Sequence, residues 1–378
     1  MGGVGGVGGV GGVGGVGGVG GVGGVGGVGG VGGVGGLTIT GLGSFLGSGA
    51  DPVYDPLLVQ GLELTEQSIT HVADNIPPMG EPNELGFSSP GNMDLWADWV
   101  RSSLYITDFL KDLDWKVHKQ HKRLCLAYGD HEFFDVEKPP MSAFLDQLKF
   151  MRDYLDQRPD RTPEILSQLG LPVAYFTMIL GLQTAPNRYT LELIAITQVL
   201  ASHVAMIIKH HLACRRPDRI GAQVMPMIPV PAHASFPSAH ATESFAVAEM
   251  LRTFLASQKR NYADVARRQA LLSKLAERIA VNRTVAGVHY PIDTWCGAVL
   301  GRAIGQIVLA KCGAGDGIVG YRYRAHGDLD FHVKEFLKGE NRAYGVEKAD
   351  CFEIEPSPLF AYLWGKACEE FALHDGSH

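Results

Sequence analysis

Hydrophobic side chains recur at helical spacing along most of the chain beyond residue 90. Between residues 262 and 286, for example, Val265, Leu272, Leu275 and Ile279 fall near one face of a helix, which is the pattern of a helix that packs against a core. The same spacing predicts helices at residues 94–120, 141–157, 163–182, 189–214, 239–257, 262–286, 294–311 and 358–373. No convincing run of alternating positions indicates strands. The expected fold is therefore all-α, a helical bundle.

A low-complexity repeat precedes the helices. Gly-Gly-Val recurs from residue 2 to residue 34, and since valine is the only side chain that it could bury, residues 1–36 are expected to be disordered. Residues 37–90 are rich in Gly, Pro, Asn and Ser, which predicts an irregular arm. We expect residues 91–312 to form the helical catalytic domain and residues 313–378 a C-terminal extension with a helix.

Composition narrows the classes of function. The 378 residues are 46% hydrophobic with a formal net charge of −7, so the chain can bury a large core and lacks the basic character of a nucleic-acid-binding protein. Its six cysteines show no CxxC spacing, which indicates reduced thiols and a cytoplasmic location. The apolar stretches at residues 165–187 and 193–208 are broken by polar residues, whereas a membrane-spanning helix needs roughly twenty apolar residues. We therefore expect small-molecule substrates and no integral membrane segment.

Three short segments contain the groups that could hold and transform a tetrahedral oxyanion. Together they supply three cations, two imidazoles, a hydroxyl and a carboxylate, namely Lys209, Arg216, Arg283, His240, His289, Ser238 and Asp293. Guanidinium and ammonium groups bind the oxygens of such an anion, and imidazoles attack it or transfer protons. Three cations gathered in an acidic chain therefore indicate an anion site at the ends of converging helices.

The middle segment also supplies backbone donors. Ser238 is a favoured N-cap residue, and apolar residues follow it at helical spacing, so a helix should begin here. Its first-turn N–H groups and positive dipole end would face an anion, with His240 beside them. An ordinary capped helix with an exposed histidine is the structural alternative.

The other two segments have structural alternatives as well. Lys209 and Arg216 lie where a helix is expected to end, and cations at a helix C-terminus compensate the helix dipole. Asp293 could serve as the N-cap of the helix at residues 294–311, or it could hold the His289 ring in one tautomer. These two roles of Asp293 are compatible with each other.

In order and in spacing, the segments resemble the motifs of the superfamily that unites type 2 phosphatidic acid phosphatases, bacterial acid phosphatases and vanadium-dependent haloperoxidases. The pattern there is Lys, six residues, Arg-Pro; then Pro-Ser-Gly-His; then Ser-Arg, five residues, His, three residues, Asp. This chain meets every spacing, with Lys209 to Pro217, residues 237–240 and Arg283 to Asp293. The resemblance covers about residues 190–306.

The resemblance implies a role for each matching residue. His289 would be the nucleophile towards phosphorus or the ligand to the vanadium of vanadate, His240 the acid and base, and Asp293 the group that orients His289. The anion's oxygens would be held by Lys209, Arg216, Ser238, the Ala239 amide and Arg283.

Two positions depart from the pattern. Ala239 stands in place of glycine and keeps the backbone N–H, while its methyl matters only where the backbone needs a positive φ or a very close approach. Asn282 stands in place of serine and can still donate a hydrogen bond. Neither change removes a catalytic proton or charge.

The choice of chemistry rests on the neighbouring residues. His233 lies seven residues before His240, and vanadium bromoperoxidases resemble this chain in having a second histidine there, although the bland alternative is a loop histidine. Met206 stands where several haloperoxidases have tryptophan. The preferred interpretation is a haloperoxidase that oxidises halide with hydrogen peroxide and uses vanadate as cofactor. The alternatives are a soluble acid phosphatase that forms a phosphohistidine and needs no cofactor, and a non-catalytic phosphate-binding scaffold.

Overall fold

The structure, a computed structural model, describes residues 56–72, 84–170 and 172–372. Its α-helices, numbered in chain order within these ranges, are α1 (Pro56–Val72), α2 (Asp98–Leu110), α3 (Met141–Asp153), α4 (Arg158–Ser167), α5 (Val173–Leu180), α6 (Arg188–Leu212), α7 (Ala239–Ser257), α8 (Val265–Val285), α9 (Pro291–Lys311), α10 (Val333–Phe336) and α11 (Pro358–Ala372). The strands are β1 (Leu113–His118), β2 (Arg123–Tyr128), β3 (His131–Glu137), β4 (Ile318–Tyr323) and β5 (Val346–Phe352).

The strands form one mixed five-stranded sheet in the order β1-β2-β3-β4-β5. Strands β1, β2 and β3 pair antiparallel, β3 and β4 pair parallel, and β4 and β5 pair antiparallel. The all-α prediction was therefore wrong, and the fold is α/β. The helix predicted at residues 94–120 ends at Leu110, and the chain turns into β1 three residues later.

The hairpin of β2 and β3 carried a sequence signal that the prediction of an all-helical fold did not take into account. Between β2 and β3 lie only Gly129 and Asp130, and Gly129 has a φ of +57°, which is the backbone region that glycine adopts without cost. Two short apolar runs separated by two such residues are typical of a β-hairpin. β5 had no comparable signal, because most of its side chains are at least partly exposed and it is held by backbone pairing with β4.

Helix α7 lies at the centre of the helical layer and packs against α6, α8 and α9. The contact with α9 is close because glycines face α7: a Cβ at Gly297 would lie 2.5 Å from the Ser238 carbonyl oxygen, and one at Gly301 would overlap the Thr242 carbonyl oxygen. The start of α7 is therefore held against the start of α9. These two starts carry residues 238–240 and 289–293.

Two predictions concern the chain before residue 90. The Gly-Gly-Val repeat at residues 1–36 lies outside the described residues, as does most of the arm at residues 37–90. The described part of that arm is not irregular throughout, because residues 56–72 form α1. The single helix predicted at residues 163–182 is in fact two helices, α4 and α5.

Among the described residues, one helical stretch is long and apolar enough to cross a membrane, judged by length and composition. It lies within residues 188–219, where an 18-residue apolar window has a mean hydropathy of 1.9 and is 78% buried inside the fold. A buried core helix of a soluble protein meets the same criteria. The expectation that the chain has no integral membrane segment stays a prediction.

Candidate active site

Lys209 lies in the last turn of α6 and is 2% exposed. Its Nζ donates to the carbonyl oxygens of Ala234 and Ser235, both at 2.8 Å, so it clamps the loop that leads into α7. Burial lowers the pKa of Lys209, and the charge of Arg216 lowers it further. An anion bound nearby would stabilise the charged form of this lysine.

Arg216 connects that loop to His289. It has an extended backbone (φ −69°, ψ 155°) before Pro217, as the proline requires. Its Nε donates to the carbonyl oxygen of His233 at 2.9 Å and its Nη1 to that of Val288 at 2.7 Å. The same Nη1 lies 3.0 Å from His289 Nε2, and Nη2 lies 3.1 Å from His233 Nδ1. His233 therefore contacts the guanidinium, and burial lowers its pKa to about 4.

Ser238 caps α7, as the sequence predicts. Its Oγ accepts from the Ala241 N–H at 3.3 Å, and its own N–H donates to the Asp293 carbonyl oxygen at 3.0 Å. Ala239 is the first residue of α7 and is 6% exposed. The amides of this first turn therefore begin beside the segment that carries His289.

His240 lies in the same turn, with its Nε2 2.9 Å from the Gln168 carbonyl oxygen. Since that oxygen can only accept, Nε2 carries the proton. Burial lowers the pKa of His240 to about 3, and the charge of Arg283 acts in the same direction. The ring is therefore neutral at pH 7 until an anion binds.

Arg283 lies in the last turn of α8 and is 2% exposed. Its Nη2 donates to the Ile165 carbonyl oxygen at 3.2 Å, while its Nε has no hydrogen-bond partner among the described residues. Burial lowers its pKa to about 10, so the side chain stays charged. A buried guanidinium with an unpaired donor is suited to bind an anion.

Asn282, beside Arg283, points towards α4. Its Nδ2 donates to Glu164 Oε2 and to Gln168 Oε1, both at 2.9 Å, and its Oδ1 accepts from Arg161 at 3.1 Å. Asn282, which replaces the serine of the pattern, thus joins a polar network that includes Gln168, the residue whose carbonyl oxygen contacts His240.

His289 and Asp293 form a buried pair. His289 Nδ1 lies 2.7 Å from Asp293 Oδ2, and the same oxygen accepts from Ser235 Oγ at 2.5 Å and from the Tyr290 N–H at 3.2 Å. Helix α9 begins at Pro291, so Asp293 is its third residue and not the N-cap of a helix that begins at Thr294. The prediction that Asp293 is the N-cap was wrong, because Tyr290 occupies that position and Asp293, in the first turn, accepts a hydrogen bond from the Tyr290 N–H.

The electrostatics of this pair define the reactive nitrogen. Burial and the charges of Arg216 and Lys209 lower the pKa of His289 well below its usual value. Burial raises the pKa of Asp293, which the Ser235 hydrogen bond and the two cations oppose. A neutral His289 that donates from Nδ1 to Asp293 leaves a lone pair on Nε2, which is the form needed for attack.

Comparison with known proteins bears on the family. A family model described as the PAP2 superfamily matches residues 189–312. Two curated relatives, the decaprenylphosphoryl-5-phosphoribose phosphatases of Mycobacterium tuberculosis strains CDC 1551 and H37Rv, are each 32% identical over 148 residues, which cover 39% of this chain and 72% of the relative. This chain belongs to the PAP2 superfamily.

A solved structure of a transmembrane PAP2 type phosphatidylglycerolphosphate phosphatase from Bacillus subtilis is also similar. It is 14% identical with a TM-score of 0.33, and the match covers 58% of this chain and 94% of that one. The two curated relatives are phosphatases by name. The haloperoxidase-like branch of the PAP2 superfamily, which the sequence analysis preferred, is not supported by them.

Some contacts of this PAP2 site were missed by the sequence analysis. Ser235 binds Asp293 across 58 residues of chain, and Gln168 binds His240 across 72, so no local pattern could pair them. Glu243 carried a weak signal, since it is an acid one turn after His240 in an apolar helix. Burial raises its pKa to about 7, and the charge of Lys209 opposes that shift.

Proposed function

We propose that this chain is a phosphatase that hydrolyses phosphomonoesters through a phosphohistidine at His289. The observation that carries the proposal is the buried pair of His289 and Asp293, with the second ring nitrogen of His289 facing Arg216. The names of the curated relatives, which are phosphatases, favour the same chemistry.

In the first step, the dianionic phosphate group of the ester binds to Lys209, Arg216 and Arg283 and replaces their hydrogen-bond partners within the protein. Its oxygens accept from these three cations and from the first-turn amides of α7. His289 Nε2 then attacks phosphorus, and the bond from phosphorus to the ester oxygen breaks. With the dianion bound, the His240 ring carries a proton on each nitrogen, and it donates one of them to the departing alkoxide, which leaves as an alcohol. Asp293 stabilises the cationic ring of the phosphohistidine through Nδ1–H.

In the second step, water attacks phosphorus while the bond between phosphorus and His289 Nε2 breaks. His240, which lost a proton in the first step, accepts one from the water. Inorganic phosphate then leaves, and both imidazoles regain their starting forms. His240 thus has to be cationic in the substrate complex, where the bound dianion favours its charged form, and neutral after the first step, so that it can accept a proton from water.

The same donors suit vanadate, which resembles phosphate and also the five-coordinate transition state. In a phosphatase we therefore expect vanadate to act as an inhibitor rather than as a cofactor. The preferred sequence interpretation, halide oxidation with peroxide, needs vanadate for activity. The two functions consequently respond to vanadate in opposite ways.

The test measures phosphate release from p-nitrophenyl phosphate, and in parallel the vanadate-dependent halogenation of a dye with peroxide and bromide. We expect hydrolysis that vanadate inhibits and no halogenation. His289→Ala should reduce hydrolysis to background, whereas His210→Ala, an exposed histidine beside Lys209, should leave it unchanged.

Three other outcomes would contradict the proposal, and a fourth would support it directly. Undiminished hydrolysis by His289→Ala would exclude the phosphohistidine. Halogenation that requires vanadate would restore the peroxidase interpretation. Phosphate binding by calorimetry without turnover of any ester would favour the scaffold. A trapped phosphoenzyme that survives alkali and decays in acid would identify phosphohistidine directly.

A further inference from the structure

A run of basic residues lies in the hairpin of β1 and β2, outside the residues that the PAP2 model matches. Six of the eight residues from 116 to 123 are lysine, arginine or histidine and none is acidic, although the whole chain has a formal net charge of −7. We call residues 113–128 the basic hairpin. It supplies none of the side chains described at the anion site, so its charge requires a separate explanation.

The lysines of the basic hairpin are exposed and unpaired. Lys116 lies on β1, and Lys119 and Lys122 lie in the turn between the strands; all three are exposed. In the part of the chain that the structure describes, the lysines in ion pairs are five others, namely Lys111, Lys274, Lys311, Lys338 and Lys366. The exposed acid of β1, Asp114, lies at the end of the strand away from the turn. Unpaired positive charge is therefore concentrated at the turn.

Two apolar side chains are exposed on the same hairpin. Trp115 is 41% exposed and Val117 is 42% exposed. They pair with Leu126 and Leu124 of β2, which are fully buried, so they continue the core-facing side of the sheet beyond its last buried strand. The Trp115 ring lies 6.3 Å from the His211 ring at the end of α6. An exposed tryptophan and valine thus lie directly beside the unpaired lysines.

The position of the hairpin at the edge of the sheet explains only part of this pattern. β1 is an edge strand, and a lysine on an edge strand prevents pairing with the sheet of another molecule. Lys116 is sufficient for that purpose. It does not account for Lys119 and Lys122, which lie beyond the strand, or for the exposure of Trp115.

Unpaired lysines beside an exposed tryptophan fit the surface of an anionic lipid bilayer. The negative potential of such a surface attracts lysines, tryptophan is favoured at the interface between headgroups and acyl chains, and Val117 would bury apolar surface there. Single-stranded nucleic acid fits less well, because it is bound in a positively charged groove by stacking on aromatic rings. The hairpin presents a convex edge with one exposed aromatic ring, and Arg123 is already paired with Asp135.

We propose that the basic hairpin binds the chain peripherally to anionic bilayers. Trp115 and Val117 enter the interface, and Lys116, Lys119 and Lys122 lie at the level of the headgroups. The binding is reversible and weakens with salt, since exposed charges are screened. It is independent of the proposed phosphatase function, because no residue of the anion site takes part.

The experiment measures sedimentation of the full-length chain with sucrose-loaded vesicles. Phosphatidylcholine vesicles are compared with vesicles that also contain phosphatidylserine, at about 0.1 M NaCl, where the screening length is about 10 Å. We expect binding to the phosphatidylserine vesicles only, and binding about tenfold weaker at about 0.5 M NaCl. Each lysine near such a surface contributes about fivefold to the affinity, so replacing Lys116, Lys119 and Lys122 together by glutamine should weaken binding about hundredfold.

A second triple variant separates the hairpin from the net charge of the chain. Lys149, Lys259 and Lys334 are exposed lysines on other parts of the fold. Replacing them together by glutamine changes the net charge by the same amount. This variant should bind vesicles as the wild type does, and circular dichroism checks that both triple variants are folded.

Trp115 provides a spectroscopic signature of the same contact. Its fluorescence should shift to shorter wavelength on binding to phosphatidylserine vesicles, because the ring moves from water into the interface. Trp115→Phe should abolish the shift. Trp96→Phe is the matched control, since Trp96 is 43% exposed elsewhere on the fold, and it should retain the shift.

Several results would overturn the proposal. They are equal binding to both kinds of vesicle, no binding to either, equal loss of binding in the two triple variants, and a shift that persists in Trp115→Phe. Binding of a labelled single-stranded DNA that depends on the three hairpin lysines, without binding to vesicles, would assign the basic hairpin to nucleic acid instead. If the hairpin triple variant proved unfolded, the salt dependence and Trp115→Phe would decide.

Discussion

The most direct test of the buried pair is Asp293→Asn. The substitution keeps the size of the side chain and an oxygen that can accept from Ser235, His289 and Tyr290, but it removes the negative charge. His289 Nδ1 lies 2.7 Å from Asp293 Oδ2, so the centres of the two charges would be about 4 Å apart when the ring is phosphorylated. At an effective dielectric constant of about 20, that attraction is about 4 kcal/mol.

Loss of this attraction should raise the barrier to phosphohistidine formation by the same amount, which corresponds to a fall in kcat of about 10³-fold. The assay is pre-steady-state phosphate and alcohol release at pH 7, with KM measured alongside. Ser235→Ala keeps the charge and removes one neutral donor, so it should cost about tenfold or less. Asp264→Asn, which alters a half-exposed carboxylate, should have no effect. A kcat within tenfold of the wild type for a folded Asp293→Asn would refute the reasoning.

Three further outcomes are expected. Gly301→Ala should destabilise the fold by about 3 kcal/mol, at the upper end for overpacking, because the new methyl would overlap the Thr242 carbonyl oxygen. Urea unfolding measures this loss of stability, and an unchanged unfolding midpoint would contradict the close packing of α7 and α9. Burial lowers the pKa of His240 to about 3, so below pH 6.5 the unfolded chain binds more protons than the folded one, and the free energy of unfolding should fall by up to about 1.4 kcal/mol per pH unit between pH 6 and 4. His240→Leu should reduce that slope. An equal slope in both proteins would show that His240 is not buried as a neutral ring. Deleting residues 1–36 should leave the melting temperature and turnover unchanged, since Gly-Gly-Val offers little to pack, and a large drop in melting temperature would show that the repeat docks on the fold.

The sequence by itself determined the local features of the candidate site. The spacing of Lys209, Arg216, Arg283 and the two histidines is a property of the chain. Local rules of backbone conformation were sufficient for Ser238 as an N-cap and for the extended backbone before Pro217, because each depends on residues within one helical turn. The helix at residues 239–257 was predicted with the same ends for the same reason.

Only the tertiary structure decided the rest. The parallel pair of β3 and β4 joins residues such as Phe134 and Tyr321. Such strands are stabilised by partners that are distant in sequence, so their own residues give only a weak strand signal. The helical periodicity of the neighbouring segments therefore led to an all-helical prediction. The contacts of Gln168 with His240 and of Ser235 with Asp293 likewise depend on how separate elements pack. Hydrogen bonds between residues so far apart in sequence cannot be predicted from residue spacing, because donor and acceptor come together only when the elements pack.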